Sequence, residues 1–290
     1  MTGLHSWRGR PLAAFFCAAF GACATGASAA SFDCVMEPSL VVKLGSPVSS
    51  VLSEVSVDRG DHVKQGQVVA RVESSVEEAV VASDQARAES TAEIEAKQAL
   101  LDQKSGIINR KAGLQQLHVT STQDLENAQA EYNVAKQEVT LARLGRHMAE
   151  IELQRARAML EQRTIHSPID GVVTQRALGP GEYIHQDGHI VIIARVNPLN
   201  VEAFLPVRYF GLVKLGQSAH VRPDDPVGGD RVAEVSVVDQ VFDAASGTFG
   251  VRLKLANPDN SVPAGLRCQV TFDVPELSAR VSEPTERIRH

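Results

Sequence analysis

The feature that most constrains the fold is an apolar repeat of seven residues in the second half of residues 74–164. Five alanines recur at that spacing, and larger apolar residues occupy a companion register. The repeated positions are Ala128, Ala135, Ala142, Ala149 and Ala156, with Leu125, Tyr132, Val139, Leu153 and Leu160 in the companion register. A heptad sustained over this length is typical of a coiled coil rather than of an ordinary amphipathic helix.

A second heptad lies before a short break at residues 117–120. Its members are Ala79, Ala86, Leu100, Ile107 and Leu114. Folding the chain back at the break sets each arm antiparallel to the other. Each stripe holds one charge, Glu93 and Arg146, which fall opposite each other and form a polar layer with its own counter-charge. The sequence predicts a projecting helical hairpin with arms about 65 Å long.

The first thirty residues predict a cleaved export signal. Arg8 and Arg10 form a positive region, residues 11–24 a short apolar region, and Ala27-Ser28-Ala29 a cleavage site. The apolar region is too short to span a bilayer comfortably. We expect a periplasmic protein that is held at the inner membrane by its partner. A lipid anchor at Cys23 is disfavoured, because Phe20 fits a lipoprotein cleavage site poorly.

Removal of the signal leaves two cysteines, Cys34 and Cys268. In an oxidising compartment an even count favours a disulfide between them. The alternative is a pair of buried free thiols.

Short apolar alternations broken by glycines lie on both sides of the hairpin, at 41–73 and 165–196. Tight turns between short strands explain these glycines. A small β domain is therefore split, with the hairpin inserted through its tip.

Two half-motifs carry a family resemblance: Gly60-Asp61-x-Val63-x-x-Gly66-Gln67 and Ser167-Pro168-x-Asp170-Gly171-x-Val173. They resemble the halves of a biotinyl/lipoyl domain. A lipoyl domain interrupted by a helical hairpin is similar to the periplasmic adaptor (membrane fusion, HlyD-like) proteins of tripartite RND-type efflux pumps. Lipoyl carriers place a modifiable lysine where this chain starts a helix, which disfavours a carrier role.

Residues 197–275 predict a small antiparallel β-barrel with one short helix at 207–215, and this resembles the barrel domain of the adaptors. The polar tail at 276–290 is predicted to be disordered. The fold class expected is elongated α+β: a coiled-coil hairpin in a split lipoyl-like domain, followed by the barrel. The resemblance also implies a membrane-proximal domain, which we expect to be missing or vestigial.

At the hairpin tip, Arg110, Leu114 and Ser121 match the spacing with which family adaptors engage a TolC-type outer-membrane channel. Arg110 offers a fork of donors for carbonyls and carboxylates on a partner helix. Ser121 stands at an N-cap position with Asp124 three residues later. Packing against Leu125 is an alternative explanation for Leu114, and capping is an alternative to channel contact for Ser121, so Arg110 discriminates best.

Catalytic, cofactor and nucleic-acid functions are disfavoured. His185 and His189 have metal-like spacing but no third ligand nearby in sequence, so we expect no metal site and no cofactor. Phosphate loops, nucleophile elbows and paired-carboxylate motifs are absent from the sequence. The net charge of −6 and the lack of a basic stripe disfavour nucleic acid.

The expected function is a non-enzymatic adaptor between an inner-membrane RND-type transporter and a TolC-type channel. The resemblance implies a hexamer that acts by assembly and conformational coupling. An adaptor of an ABC-type exporter stays open as an alternative. A lipoyl- or biotin-bearing carrier subunit and a purely structural coiled-coil protein are the other classes considered.

Overall fold

The computed structural model describes residues 30–273. The predicted signal peptide (except Ala30) and the predicted tail lie outside the described residues. The helices are α1 (Ser75–Glu89), α2 (Ala92–Gln116) and α3 (Thr122–Glu161). The strands are β1 (Ser31–Leu44), β2 (Ser50–Val55), β3 (His62–Val63), β4 (Val68–Val72), β5 (Thr164–His166), β6 (Gly171–Arg176), β7 (Tyr183–Ile184), β8 (Val191–Pro206), β9 (Ser218–Pro223), β10 (Arg231–Val238), β11 (Thr248–Leu255) and β12 (Arg267–Phe272).

Six strands close an antiparallel barrel in the order β1, β12, β9, β10, β11 and β8. A direct pairing between β1 and β8 completes the closure. Alternate side chains of each strand point inward, and the core includes Tyr209, Phe249 and Phe272, each at most 2% exposed. The barrel predicted from the sequence is confirmed, but it also takes in residues 31–38, to which the sequence analysis assigned no element.

The second β module is a sandwich with its own core. Strands β5, β4, β2 and β7 form one sheet, and β6 and β3 extend the β8 edge of the other. Strands β1 and β8 run through both modules, since residues 40–44 of β1 pair with 191–195 of β8. The sandwich core contains Leu52, Val69, Val173, Ile184 and Ile193.

The two predicted half-motifs meet inside this sandwich. The Gly66 amide donates to the Ser167 carbonyl at 2.8 Å, and the Gln65 amide donates to Asp170 Oδ1 at 2.8 Å. Gly171 lies so close to β8 that a Cβ there would stand 2.5 Å from the Ala194 carbonyl oxygen. Glycine is required at this position because the two backbones touch. The split lipoyl-like domain is confirmed.

Asn257 is a buried polar residue at the junction between the barrel and the sandwich. It is 0% exposed. Its side-chain amide donates to the carbonyls of Val196 (3.0 Å) and Val262 (2.9 Å), while its Oδ1 accepts from the Val262 amide. A buried amide with these hydrogen bonds satisfied fixes the loop before β12 against the middle of β8.

The hairpin is present, with α3 as a continuous arm of 40 residues, or about 60 Å. The apolar stripe predicted on this arm is largely inside, with Ala128, Ala135, Val139, Ala142, Leu153 and Ala156 buried. The other arm differs from the prediction in two ways. It breaks at Ser90 and Thr91, where the extended backbone of Ser90 ends α1.

The apolar register predicted on the first arm is also partly displaced. Leu100 and Ile107 are half-buried, but Ala79, Ala86 and Leu114 are exposed, whereas Ala88 is buried and a neighbouring register is half-buried as well. That register contains Ile94, Leu101 and Ile108. The break explains the displacement, because a helix restarted after two non-helical residues does not keep the earlier heptad phase.

The short helix predicted at 207–215 is wrong in extent. Only Val207–Tyr209 form a 3-10 turn, and Phe210 returns to extended backbone. Gly211 has a φ of +84°, and Leu215 is 68% exposed. The apolar spacing resembled a helix because Tyr209 and Val213 are both buried under the end of the barrel. Within residues 30–273, no helix combines the length and apolarity that a bilayer crossing requires.

Candidate functional site

The apex of the hairpin is a tight turn between α2 and α3. The Val119 amide donates to the Leu114 carbonyl at 3.0 Å, and the His118 amide donates to the Gln115 carbonyl at 2.9 Å. His118 adopts a positive φ of +56°, a conformation often found where a helix ends. The apex is therefore a defined turn with its backbone partly satisfied, and its side chains are displayed outward.

Ser121 caps α3 as the sequence suggested. Its hydroxyl oxygen accepts from the Asp124 amide at 3.1 Å and donates to Asp124 Oδ2 at 2.7 Å. The hydrogen bond from Ser121 lowers the pKa of the Asp124 carboxyl below its ordinary value. Lys111 reaches across from α2 to the Asp124 carbonyl at 3.2 Å. These contacts tie the start of α3 to the end of α2.

Arg110 is exposed on the outer side of α2, one turn before Leu114. Its Nη1 atom stands 3.6 Å from the position that a Cβ would take on Gly106. Among residues 30–273, Arg110 has no hydrogen-bond or ion-pair partner. An arginine fork with unused donors on a projecting apex is available to a partner.

The apex is also apolar, which the sequence analysis did not use. Leu114 is 43% exposed, Leu117 72% and Val119 70%. Leu117 and Val119 lie in the break between the two helical patterns, where polar turn residues are the norm. Apolar residues at these turn positions could therefore have identified Leu117 and Val119 from the sequence as a binding surface. Three exposed apolar side chains beside an unpaired arginine form a mixed surface suited to a helical partner.

Glu93 and Arg146 both line a shallow polar pocket between the arms, but the structure does not bring them into an ion pair. Arg146 Nε donates to the Ala88 carbonyl at 3.2 Å and lies 3.2 Å from Glu150 Oε1 on its own helix. The helix break frees the Ala88 carbonyl, because α1 ends at Glu89 and the chain leaves the helix at Ser90 and Thr91. Arg146 therefore fills the break rather than a polar layer.

Other ion pairs hold the arms together. Lys97 lies 3.2 Å from Glu138, Lys104 lies 2.8 Å from Glu131, and Arg163 pairs with Glu77 at the hairpin root. The hydrogen bond from Lys104 lowers the pKa of the Glu131 carboxyl. These pairs set the level of each arm against the other. The two lysine pairs are exposed enough that each adds little stability, whereas the Arg163–Glu77 pair is mostly buried.

Cys34 and Cys268 are joined by a disulfide. They lie directly opposite each other on β1 and β12, and their side chains are 4% and 2% exposed. The bond links the first strand of the barrel to the last one, across 234 residues of sequence.

His185 and His189 lie near the tip of the sandwich. The His185 ring packs edge-on against Tyr183, with ring centroids 4.8 Å apart. Across the described part of the chain, no three side chains of the metal-binding types cluster.

A second apolar stripe runs along α3 on the side that faces away from α1 and α2. It consists of large side chains at helical spacing, each at least 45% exposed: Val134, Leu141, Leu144, Met148, Ile151 and Met159. The opposite arm exposes small residues on its own outer side: Ala79, Ala82, Ala86, Ala92, Ala96 and Ala99. The sequence analysis missed the stripe on α3, and it assigned Ala79 and Ala86 of the other stripe to the inner register.

The fold and the sequence are similar to known proteins. The chain is 23% identical over 248 residues to nodulation protein NolF of Rhizobium meliloti, covering 85% of this chain and 64% of NolF. It is 24% identical over 270 residues to multidrug resistance protein MdtE of Escherichia coli, covering 87% of this chain and 66% of MdtE. The chain thus spans less than two thirds of either relative. The crystal structure of MacA from Actinobacillus actinomycetemcomitans superposes with a TM-score of 0.69 at 22% identity, over 84% of this chain and 78% of MacA.

The family model described as the CzcB-like, barrel-sandwich hybrid domain matches residues 40–195. That range contains the whole sandwich and the hairpin inserted into it. Since the match covers more than half of the sequence, the chain belongs to the CzcB-like barrel-sandwich hybrid family, and the resemblance to membrane fusion proteins seen in its half-motifs is confirmed.

Proposed function

We propose that the protein is a periplasmic adaptor that connects an inner-membrane efflux transporter to an outer-membrane channel and acts by assembly rather than by catalysis. The apex carries this proposal: an unpaired arginine and three exposed apolar side chains stand at the end of an arm about 60 Å from the β modules. A rigid arm with its binding side chains at the tip is suited to reaching a distant partner. The similarity to MdtE, a multidrug resistance protein, supports efflux as the process.

The channel is proposed to be of the TolC type, with Arg110, Leu114 and Ser121 as the contact residues. Arg110 would donate to carbonyl or carboxylate oxygens of the channel, and Leu117 and Val119 would add apolar contact around it. Ser121 has a structural role as the cap of α3, so its effect on docking would come through the shape of the turn. The transporter is proposed to be of the RND type, with an ABC-type exporter as the alternative.

The adaptor is proposed to work as a ring, expected to be a hexamer. The ion pairs Lys97–Glu138 and Lys104–Glu131 fix the register between the two arms. In this register, Leu141 and Leu144 lie at about the same position along the hairpin axis as Ala92 and Ala96. A neighbouring copy could place the large side chains of its α3 against these small residues, as knobs enter holes in a coiled coil. Contacts repeated around a ring hold the channel through effective concentration even when each is weak.

Site-specific photocrosslinking in cells tests this proposal. A photoreactive side chain at Val119 should crosslink to the channel, and one at Leu144 should crosslink to a second adaptor copy. Gln154, exposed on α3 outside the apolar stripe, serves as the matched position and should give neither product. If the photoreactive side chain at Val119 crosslinked to no outer-membrane protein, the proposal that the tip docks on a channel would be wrong, whatever the result at Leu144.

Efflux measurements with Arg110→Asp test the tip residue itself. The variant should lose at least about tenfold of its drug resistance while keeping its abundance, because an acidic group now faces the partner's acceptors. Gln103→Asp is the control, since Gln103 lies two turns back in the same heptad position and is also exposed. Equal resistance in the two variants would show that Arg110 has no special role.

A further inference from the structure

The end of the barrel that lies away from the sandwich has an exposed apolar surface that the adaptor contacts proposed above do not use. Two loops form it: residues 207–217 between β8 and β9, and residues 239–247 between β10 and β11. Leu215 is 68% exposed, Val241 85%, Phe210 44% and Phe242 41%. We call these four side chains the barrel-end patch. Apolar side chains gathered on one end of a soluble domain mark a binding surface.

The patch is rigidly built. The Phe210 and Phe242 rings meet edge-on with centroids 4.9 Å apart. The Phe210 ring centroid also lies 5.4 Å from that of Phe249, a core residue that is 1% exposed. The Val207 amide donates to the Gly247 carbonyl at 3.0 Å and joins the two loops. Val241 therefore projects from a base of aromatic rings that is continuous with the barrel core.

The acidic side chains of the 239–247 loop are bound within the loop or folded back over β11. Asp243 accepts from the Ala245 amide at 2.9 Å and from the Ser246 hydroxyl at 2.7 Å. The Asp239 carboxylate folds back over Gly250 on β11, where any Cβ would collide with it. The two carboxylates are exposed, but Asp243 is hydrogen-bonded within the loop and Asp239 lies over β11, so Val241 and Phe242 form the apolar tip between them. Lys214 is exposed next to Leu215, and a lysine beside an apolar side chain can extend its ammonium group to lipid headgroups.

The course of the chain points this end toward a membrane. Ala30 and Asp273, the first and last described residues, both lie at the outer ends of β1 and β12. The predicted apolar region of the export signal ends at residue 24, only a short stretch of chain before Ala30. Before the predicted signal is cleaved, while it is held in the inner membrane, the barrel end that follows it is the end closest to the bilayer.

We propose that the barrel-end patch docks on the surface of the inner membrane, with Val241, Phe242 and Leu215 inserted among the lipid headgroups and upper acyl chains. Aromatic and aliphatic loop tips bind at this depth because apolar area leaves water while the barrel stays outside. Such a contact would keep the processed protein at the membrane without a lipid anchor. It does not depend on the channel or on the transporter.

Vesicle flotation of the purified exported protein tests the proposal, with vesicles of phosphatidylethanolamine and a minor share of phosphatidylglycerol. The wild type should float with the vesicles, also at high salt, because the contact is mainly apolar. The double variant Val241→Asp/Phe242→Asp should reduce the bound fraction at least about tenfold, since it loses apolar area and adds two charges. Val232→Asp is the matched control: Val232 is 61% exposed on the other half of the same barrel, and this variant should float like the wild type.

A fluorescence measurement covers the case in which the double variant folds poorly. Trp7 is the only tryptophan of the chain and lies in the predicted signal, so Phe242→Trp would make the processed protein's sole tryptophan. Its emission should shift to shorter wavelength when vesicles are added, and that of Val232→Trp should not. No flotation of the wild type, or no shift for Phe242→Trp, overturns the proposal. A third outcome is that the wild type does not bind vesicles and the double variant no longer copurifies with the transporter. The patch would then be a binding site for a protein rather than for the membrane.

Discussion

The β modules and the hairpin differ in how they are held together. The barrel and sandwich surround two cores whose central side chains are at most a few per cent exposed, whereas α2 has no buried residue at all. Along the arms the hairpin relies on a narrow seam and on the exposed pairs Lys97–Glu138 and Lys104–Glu131, which contribute little. Stability therefore lies in the β modules. The hairpin is left with two outer faces and a tip free to bind partners.

The largest expected effect compares the same substitution in the two regions. Leu253→Ala in the barrel core should cost about 3–5 kcal/mol, because Leu253 is 0% exposed and its loss leaves a cavity. Leu101→Ala on α2, where the leucine is only half-buried, should cost below about 1 kcal/mol, since alanine favours the helix and water reaches the site. Denaturant unfolding of both variants measures the difference. Equal costs would mean that the hairpin holds more of the stability than its burial indicates.

The disulfide gives the next largest effect, again confined to the β part. Replacing Cys34 and Cys268 together by serine should cost about 2–4 kcal/mol, because the bond closes a long loop in the unfolded chain. The thermal transition should shift to lower temperature, while the helical circular dichroism signal below it stays that of the wild type. Adding a reductant to the unchanged protein should reproduce the shift only after partial unfolding, since both sulfurs are buried. An unchanged melting temperature in the double serine variant would contradict this.

The smallest effect concerns the tip. Ser121→Ala should destabilise the first turn of α3 by about 1 kcal/mol, because it removes the side-chain cap of that helix. Amide hydrogen exchange at Asp124 should accelerate, with little change in global unfolding. Ser74→Ala is the control, since Ser74 precedes α1 but makes no capping bond to its backbone. Identical exchange in the two variants would remove the cap as the organiser of the apex.

The cap should also respond to acid. The pKa of Asp124 is lowered in the folded protein, mainly by Ser121, so its contribution is complete above the ordinary carboxyl value and is lost as pH falls through the lowered one. The exchange difference between wild type and Ser121→Ala should therefore narrow only in strongly acidic solution. A difference that narrows already near neutral pH would point to another group.

Patterns among residues close together in sequence were sufficient to predict much of the fold. The heptad alanines of α3 predicted its inner face, and Ser121 with Asp124 predicted a cap, because helix periodicity and capping involve residues a few positions apart. The glycine-marked half-motifs predicted the turns that meet at Gly66 and Ser167 for the same reason. The Cys34 and Cys268 pairing was raised from their count and compartment, but whether the two sulfurs would meet was beyond the sequence.

What the sequence by itself determined is the hairpin, the split sandwich around it and the strands of the barrel. Only the tertiary structure decided that β1 closes the barrel, that Arg146 fills the break in the first arm, and that residues 207–215 form a turn with Leu215 exposed. Each of these depends on neighbours distant in sequence. Strand β1 pairs with β12 and β8, Arg146 bonds the Ala88 carbonyl, and Tyr209 is buried at the end of the barrel. Periodicity reports which side of an element is apolar, but the partner that covers that side, or leaves it bare, is set by packing in three dimensions.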